Sequence, residues 1–114
     1  MPAGYGLSRR SSQDMRDILA YSTKKWGEQR AVDYVQAFYD TFAKIARSPD
    51  MGLQRKKRSH PFLMVEAQKH FIIYEKMQGK VLILTIQHQK RDIESLIKAM
   101  RAELMNEILT FQRH

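Results

Sequence analysis

Two groups of residues in this sequence are of the types that do chemistry. The first is Arg55-Lys56-Lys57-Arg58, followed closely by His60, a run of cations that no acid interrupts. Lys and Arg displace counterions from a phosphate backbone, so such a run can hold a nucleic acid, and its field can draw in an acidic protein. The plain alternative is a solvated loop kept soluble by its charge. The second group is His70, His88, Lys90 and Arg91. RNA cleavage needs a base for the 2′-hydroxyl proton, cations for the phosphorane, and an acid for the leaving 5′-oxygen. His88 could serve as the base and Lys90 or Arg91 as the cations, with His70 close by. The alternative for His88 is a structural one, ordering the end of a strand.

Other chemistries are poorly provided for. Cysteine is absent, which excludes a disulfide framework, a thiol nucleophile and a cysteine-based zinc site. The His residues are scattered rather than set at ligand spacing with Asp or Glu, so no metal is expected. No Gly-rich phosphate loop is present, and no cofactor is expected. Tyr21, Trp26, Tyr34, Tyr39 and Tyr74 could be read as a base-stacking set. Trp26 and Tyr39, however, fall at helical spacing with apolar residues, which marks them as packing.

The charge balance points to a partner. Lys and Arg total 20 against 12 Asp and Glu, a formal net charge of +8. An acidic protein or a nucleic acid is the expected counterpart. The charge is uneven: Leu53 to His60 carries +4, whereas Asp92 to His114 carries −1. The last segment is therefore a different kind of surface. At 114 residues the chain is one domain, long enough to build a real core. Its longest near-apolar run, Val81 to Ile86, is far too short to span a bilayer. No charged-then-apolar leader opens it, so the expected address is the cytoplasm.

The elements that must position these residues follow from periodicity. Tyr5-Gly6-Leu7-Ser8 reads as a short strand. Ser11 or Ser12 can cap a helix whose apolar face is Met15, Ile18, Leu19, Ser22 and Trp26, with Gly27 at its end. A second helix from Glu28 carries Val32, Val35, Phe38, Tyr39, Phe42, Ile45 and Ala46, and stops at Ser48-Pro49-Asp50-Met51-Gly52. The break between them predicts an antiparallel αα-hairpin. The period then changes. Phe62–Val65, His70–Tyr74 and Val81–Ile86 read as strands joined by short antiparallel connections. The third is apolar on both faces, which predicts a central strand covered on each side. From Asp92 the chain is helical again, with a stripe of Ile93, Leu96, Ile97, Met100, Leu104, Ile108 and Phe111. The fold class is α+β: a short strand and helical hairpin packed on an antiparallel sheet, with an added C-terminal amphipathic helix.

That last stripe must be buried somewhere. It can cover the chain's own sheet, or it can serve as a partner groove or a homo-oligomer surface with Leu104 and Ile108 at its centre. A lipid surface is not expected, because Glu94, Glu103 and Glu107 line the polar face.

Several of these pieces together resemble the ParE branch of the RelE/ParE toxin superfamily. Trp26-Gly27 closes the first helix, Ser48-Pro49-Asp50-Met51-Gly52 closes the second, His70-Phe71-Ile72-Ile73-Tyr74 forms a strand, and Ile86-Gln87-His88-Gln89-Lys90-Arg91-Asp92 ends the next. They match the family's WG hairpin, P-x-x-G turn, H-x-I-F-Y strand and I-L-H-x-x-x-D ending in order and spacing. The resemblance runs from about Leu7 to Ile93. It implies a toxin domain over residues 1–92, extended by residues 93–114. It implies a toxin of a type II toxin–antitoxin pair that inhibits DNA gyrase, arrests growth and is neutralised by a proteic antitoxin, as in plasmid stabilisation. Its RelE-type relatives instead cut mRNA on the ribosome, and a non-toxic, antitoxin-binding relative is the third alternative.

The sequence departs from the family pattern in two ways. Leu63 stands where the family often has an Arg, so no role passes to that position, and Gln68 stands where a Gly is expected. Many relatives also stop soon after the motif that ends here in Asp92, whereas this chain adds a full amphipathic helix.

Overall fold

The computed structural model describes residues 4–52 and 62–112. In chain order it has β1 (Gly4–Leu7), α1 (Arg9–Trp26), α2 (Glu28–Arg47), a 3₁₀ turn (Pro49–Met51), β2 (Leu63–Ala67), β3 (His70–Met77), β4 (Lys80–His88) and α3 (Ile93–Gln112). The run Arg55–Arg58 and His60 lie outside the described residues.

The four strands form one sheet in the order β1-β4-β3-β2. The pairings β2–β3 and β3–β4 are antiparallel, as the short connections require. β1 adds alongside β4 in parallel, with Gly4 opposite Lys80 and Leu7 opposite Ile83. β4 is therefore internal, and every residue from Val81 to Gln87 is buried. Its two-sided apolar character has the predicted cause: a helical layer covers each face. On one face Met15, Phe38, Phe42, Ile45 and Ala46 of the hairpin pack against Leu63, Ile72, Tyr74, Val81, Ile83 and Ile86. On the other, Ile93, Ile97, Met100, Leu104 and Ile108 of α3 pack against Phe62, Met64, Phe71, Ile73, Leu82 and Leu84. Period-2 alternation sends neighbours such as Ile72 and Ile73 to opposite cores. The register slips between Ile73 and Tyr74, where β4 runs from Thr85 to Ile83 across the bulge.

Two local readings need correction. α1 is capped by Ser8, not by Ser11 or Ser12: Ser8 Oγ accepts the Ser11 N–H at 3.0 Å. The helix begins earlier because β1 delivers the chain directly into it. Leu19 and Val32, placed on apolar stripes by periodicity, are exposed, whereas Ser22, the polar member of the α1 stripe, is buried as placed. Asp92 does cap α3, with Oδ1 accepting from Ser95 N–H at 3.3 Å and Oδ2 from Ser95 Oγ at 2.7 Å.

The hairpin turns on a single residue. Gly27 has φ +89°, a conformation open to glycine and costly for others. Its N–H donates to Thr23 O and its carbonyl accepts from Ala31 N–H, so it ends one helix and begins the next. At the other end of α2, the Tyr74 hydroxyl donates to Pro49 O at 2.5 Å and accepts from Gly52 N–H at 2.9 Å. The P-x-x-G turn is thus pinned to the middle of the sheet.

Candidate functional site

β3 begins and β4 ends at the same edge of the sheet, and the register sets His70 directly opposite His88. Their ring centroids are 4.9 Å apart. The two-residue turn before His70 uses Gln68 and Lys69, with φ of 50° and 61°. Left-handed backbone at both central positions suits the twist of a tight hairpin, but it costs non-glycine residues on the order of 1 kcal/mol each. This explains why glycine would be favoured at position 68 and what its replacement must overcome.

Several bonds hold that strained turn. The Gln68 carbonyl accepts from the Tyr34 hydroxyl at 3.0 Å and lies 2.8 Å from His70 Nδ1. A carbonyl can only accept, so His70 carries its proton on Nδ1. Gln89 N–H donates to the Lys69 carbonyl at 2.9 Å. On the far side, Lys90 N–H donates to His88 Nδ1 at 3.1 Å, so the neutral His88 ring carries its proton on Nε2. The two imidazoles are opposite tautomers. His70 also meets Phe38 edge-on at 5.2 Å, and Tyr34 at 6.5 Å. Burial is the main cause that pushes the His70 pKa below its ordinary 6.5; the nearby His88 pushes the same way, and the Gln68 carbonyl opposes both.

The structure therefore brings His70 and His88 together, with Lys90 and Arg91 exposed in the turn just beyond. His88 has its Nδ1 lone pair engaged by a backbone N–H, whereas His70 is engaged through its Nδ1 proton by the Gln68 carbonyl. Leu104 and Ile108, the proposed centre of a partner surface, are buried against the sheet instead of presented to solvent. Among the described residues no group of three or more His, Cys, Asp or Glu could hold a metal ion. No helix of the described residues is long and apolar enough to cross a membrane. Trp26 is half-buried and flanked by Lys25 at 5.2 Å and Arg30 at 5.6 Å. Its ring packs edge-on to Tyr34 at 5.2 Å, extending the aromatic chain from the hairpin tip to the histidines.

Sequence reasoning missed a polar seam on the opposite edge of β4. β1 stops at Leu7, and beyond it α1 side chains take over the edge. Ser8 Oγ donates to Leu84 O at 2.7 Å and Ser11 Oγ to Ile83 O at 2.8 Å. Asp14 accepts from the Thr85 hydroxyl at 2.5 Å and from Ile86 N–H at 3.0 Å. Burial raises the Asp14 pKa, with these two bonds and Arg10 opposing it. The signal was present: Ser8, Ser11 and Asp14 lie three apart, one face of a helix. Glu107, placed by its charge on the polar face of α3, is instead buried, where it accepts from Arg9 Nε and Arg10 N–H at 3.2 Å each.

Comparison with known proteins bears on this arrangement. The family model described as ParE toxin of type II toxin-antitoxin system, parDE, matches residues 5–93. Toxin ParE1 of Caulobacter vibrioides is 32% identical over 85 residues, covering 75% of this chain and 88% of that protein. A chain of the chromosomal ParDE TA system from P. aeruginosa superposes with a TM-score of 0.65 at 15% identity, covering 76% of this chain and 96% of its own. At that identity the likeness is one of fold.

Proposed function

The chain belongs to the ParE toxin family of type II toxin–antitoxin systems, and from that premise we propose that it arrests growth by inhibiting DNA gyrase and is neutralised by a cognate protein antitoxin. The inhibition works by protein contact in the cytoplasm rather than by bond cleavage. The observation that carries this reading is the match across residues 5–93, which takes in both histidines and the P-x-x-G turn. The site supports it: each imidazole has a ring nitrogen engaged by backbone, which suits a rigid contact surface better than a pair of proton shuttles. A gyrase–DNA target and an acidic antitoxin both suit a net charge of +8.

One observation favours the RelE-type alternative, cleavage of mRNA on the ribosome. His70 carries its proton on Nδ1, so Nε2 is its unprotonated nitrogen, and Lys90 and Arg91 are exposed beyond it. The two readings separate in one experiment. Induction of the chain alone should stop growth, and co-expression of the antitoxin from the neighbouring reading frame should restore it. Gyrase inhibition gives filamentous cells and loss of supercoiling by purified gyrase. Codon-linked cuts in translated messages, with supercoiling intact, would replace the proposal with the ribonuclease reading. Absence of arrest would leave a non-toxic, antitoxin-binding relative.

A further inference from the structure

We infer that the tip of the helical hairpin is a binding platform for single-stranded DNA, built on the rings of Tyr21 and Trp26 and the cations Lys25 and Arg30. The inference holds whichever target the toxin has.

Gly27 sets the geometry. With φ +89° it reverses the chain within one residue, so the last turn of α1 and the first turn of α2 share one surface. Lys25 Nζ lies 5.7 Å from the Tyr21 ring centre and 5.2 Å from that of Trp26. The Arg30 guanidinium comes from α2 and lies 5.6 Å from the same Trp26 ring. A cation within about 6 Å of an aromatic ring is attracted by its quadrupole. Two rings and two cations, drawn from both helices, thus form one cluster. Trp26 is held in place: its ring packs edge-on to Tyr34 at 5.2 Å, and the Tyr34 hydroxyl donates to Gln68 O.

Core packing does not account for this cluster. Tyr21 is 64% exposed, more than any other large hydrophobic side chain among the described residues. Ion pairing does not account for it either, since no ion pair among the described residues involves Lys25 or Arg30. Of the nearby acids, Asp33 accepts from Gln29, and Glu28 is outnumbered by Lys24, Lys25 and Arg30. A single strand offers both things such a surface takes: a flat base for an exposed ring, and a phosphate one nucleotide along for a cation. A duplex hides its base faces in the stack and offers phosphates alone. The carboxylates of an acidic peptide would pair the cations but leave the Tyr21 ring uncovered. A preference for RNA needs a partner for the 2′-hydroxyl. The hydroxyls of Thr23 and Tyr34, in the same helical turns, already donate to the carbonyls of Leu19 and Gln68, so RNA gains nothing here and DNA is assigned.

Trp26 is the single tryptophan of the chain, so its fluorescence reports on this site alone. The full chain is titrated with oligothymidylate of about 15 nucleotides. Quenching of Trp26 that weakens as salt rises is expected. Tyr21→Ala removes an exposed ring and should weaken binding about tenfold without moving the melting temperature. Lys25→Gln combined with Arg30→Gln should reduce the slope of log affinity against log salt by about 1.4. Absence of binding would overturn the proposal. A labelled strand that binds by anisotropy without quenching Trp26 would place the contact elsewhere and overturn it too. So would an unchanged affinity in Tyr21→Ala, or equal quenching by a duplex of the same length. Quenching by polyglutamate but not by oligothymidylate would make the tip a protein interface instead. Oligouridylate that binds more than about tenfold tighter than oligothymidylate would overturn the assignment to DNA.

Discussion

Gly52 lies directly beneath the Tyr74 ring, and a Cβ there would collide with the Tyr74 hydroxyl and ring carbons. The hydroxyl cannot move aside without giving up its bonds to Pro49 O and Gly52 N–H. Gly52→Ala should therefore destabilise the protein by about 1–3 kcal/mol, read as a lower urea midpoint. Tyr74→Phe isolates the hydrogen bonds and should cost about 1 kcal/mol. An alanine variant as stable as wild type would show that the turn is not pinned there. Asp14 gives a second residue-level test. Its folded pKa is raised above the ordinary 3.8, so the folded state binds a proton more readily than the unfolded one in the window above that value. Stability should fall as pH rises through this window. Asp14→Asn keeps a carbonyl oxygen for Ile86 N–H and should abolish that fall in melting temperature. A slope unchanged in the variant would place the titration elsewhere.

At the scale of elements, α3 shows how an amphipathic helix chooses its partner. Leu104 has no solvent exposure, and its neighbours are the apolar side chains of β2, β3 and β4. Leu104→Asp would bury a carboxylate without a counter-charge, so the isolated protein should lose several kcal/mol and melt well below wild type. A variant that melts normally but fails to self-associate or bind a partner would mean that α3 serves as an interface instead. The helix is also tied around the β1 edge. Glu107 reaches Arg9 and the Arg10 N–H, and Glu103 lies 3.7 Å from Arg10. Arg9 is largely exposed, so this ion pair contributes modestly and mainly fixes the position of the helix end. Phe111 completes the seal by packing over Gly6, where a side chain would collide with the ring.

For the whole molecule, a net charge of +8 gives a long-range field that attracts acidic surfaces. The densest source is Arg55-Lys56-Lys57-Arg58, between Gly52 at the pinned turn and the start of β2. Changing all four to Glu should slow association with an acidic antitoxin and flatten its salt dependence, as measured by stopped-flow mixing across ionic strengths. Unchanged rates and salt slope would return the run to the role of a solvated loop.

The order of elements, the antiparallel pairings, the two-faced burial of β4 and the single-residue hairpin at Gly27 were all legible in the sequence. Each depends on spacing along one element or on a turn between neighbours, and chain-local physics decides those. The motif order likewise carried the family resemblance, because spacing in sequence is what such motifs record. What tertiary structure alone decided lies between residues distant in the chain. Ser11 and Asp14 complete the edge of β4 because β1 ends short and α1 passes over it. Leu19 and Val32 are exposed although their period points inward, because packing between distant elements, not spacing along one helix, sets which side chains are covered. His70 and His88 are 18 positions apart, yet the register makes them neighbours, and backbone groups on each side fix their protons. A sequence can show that two histidines are present. Only the fold decides which nitrogen of each carries the proton, because that depends on the bond made by its neighbour in the ring.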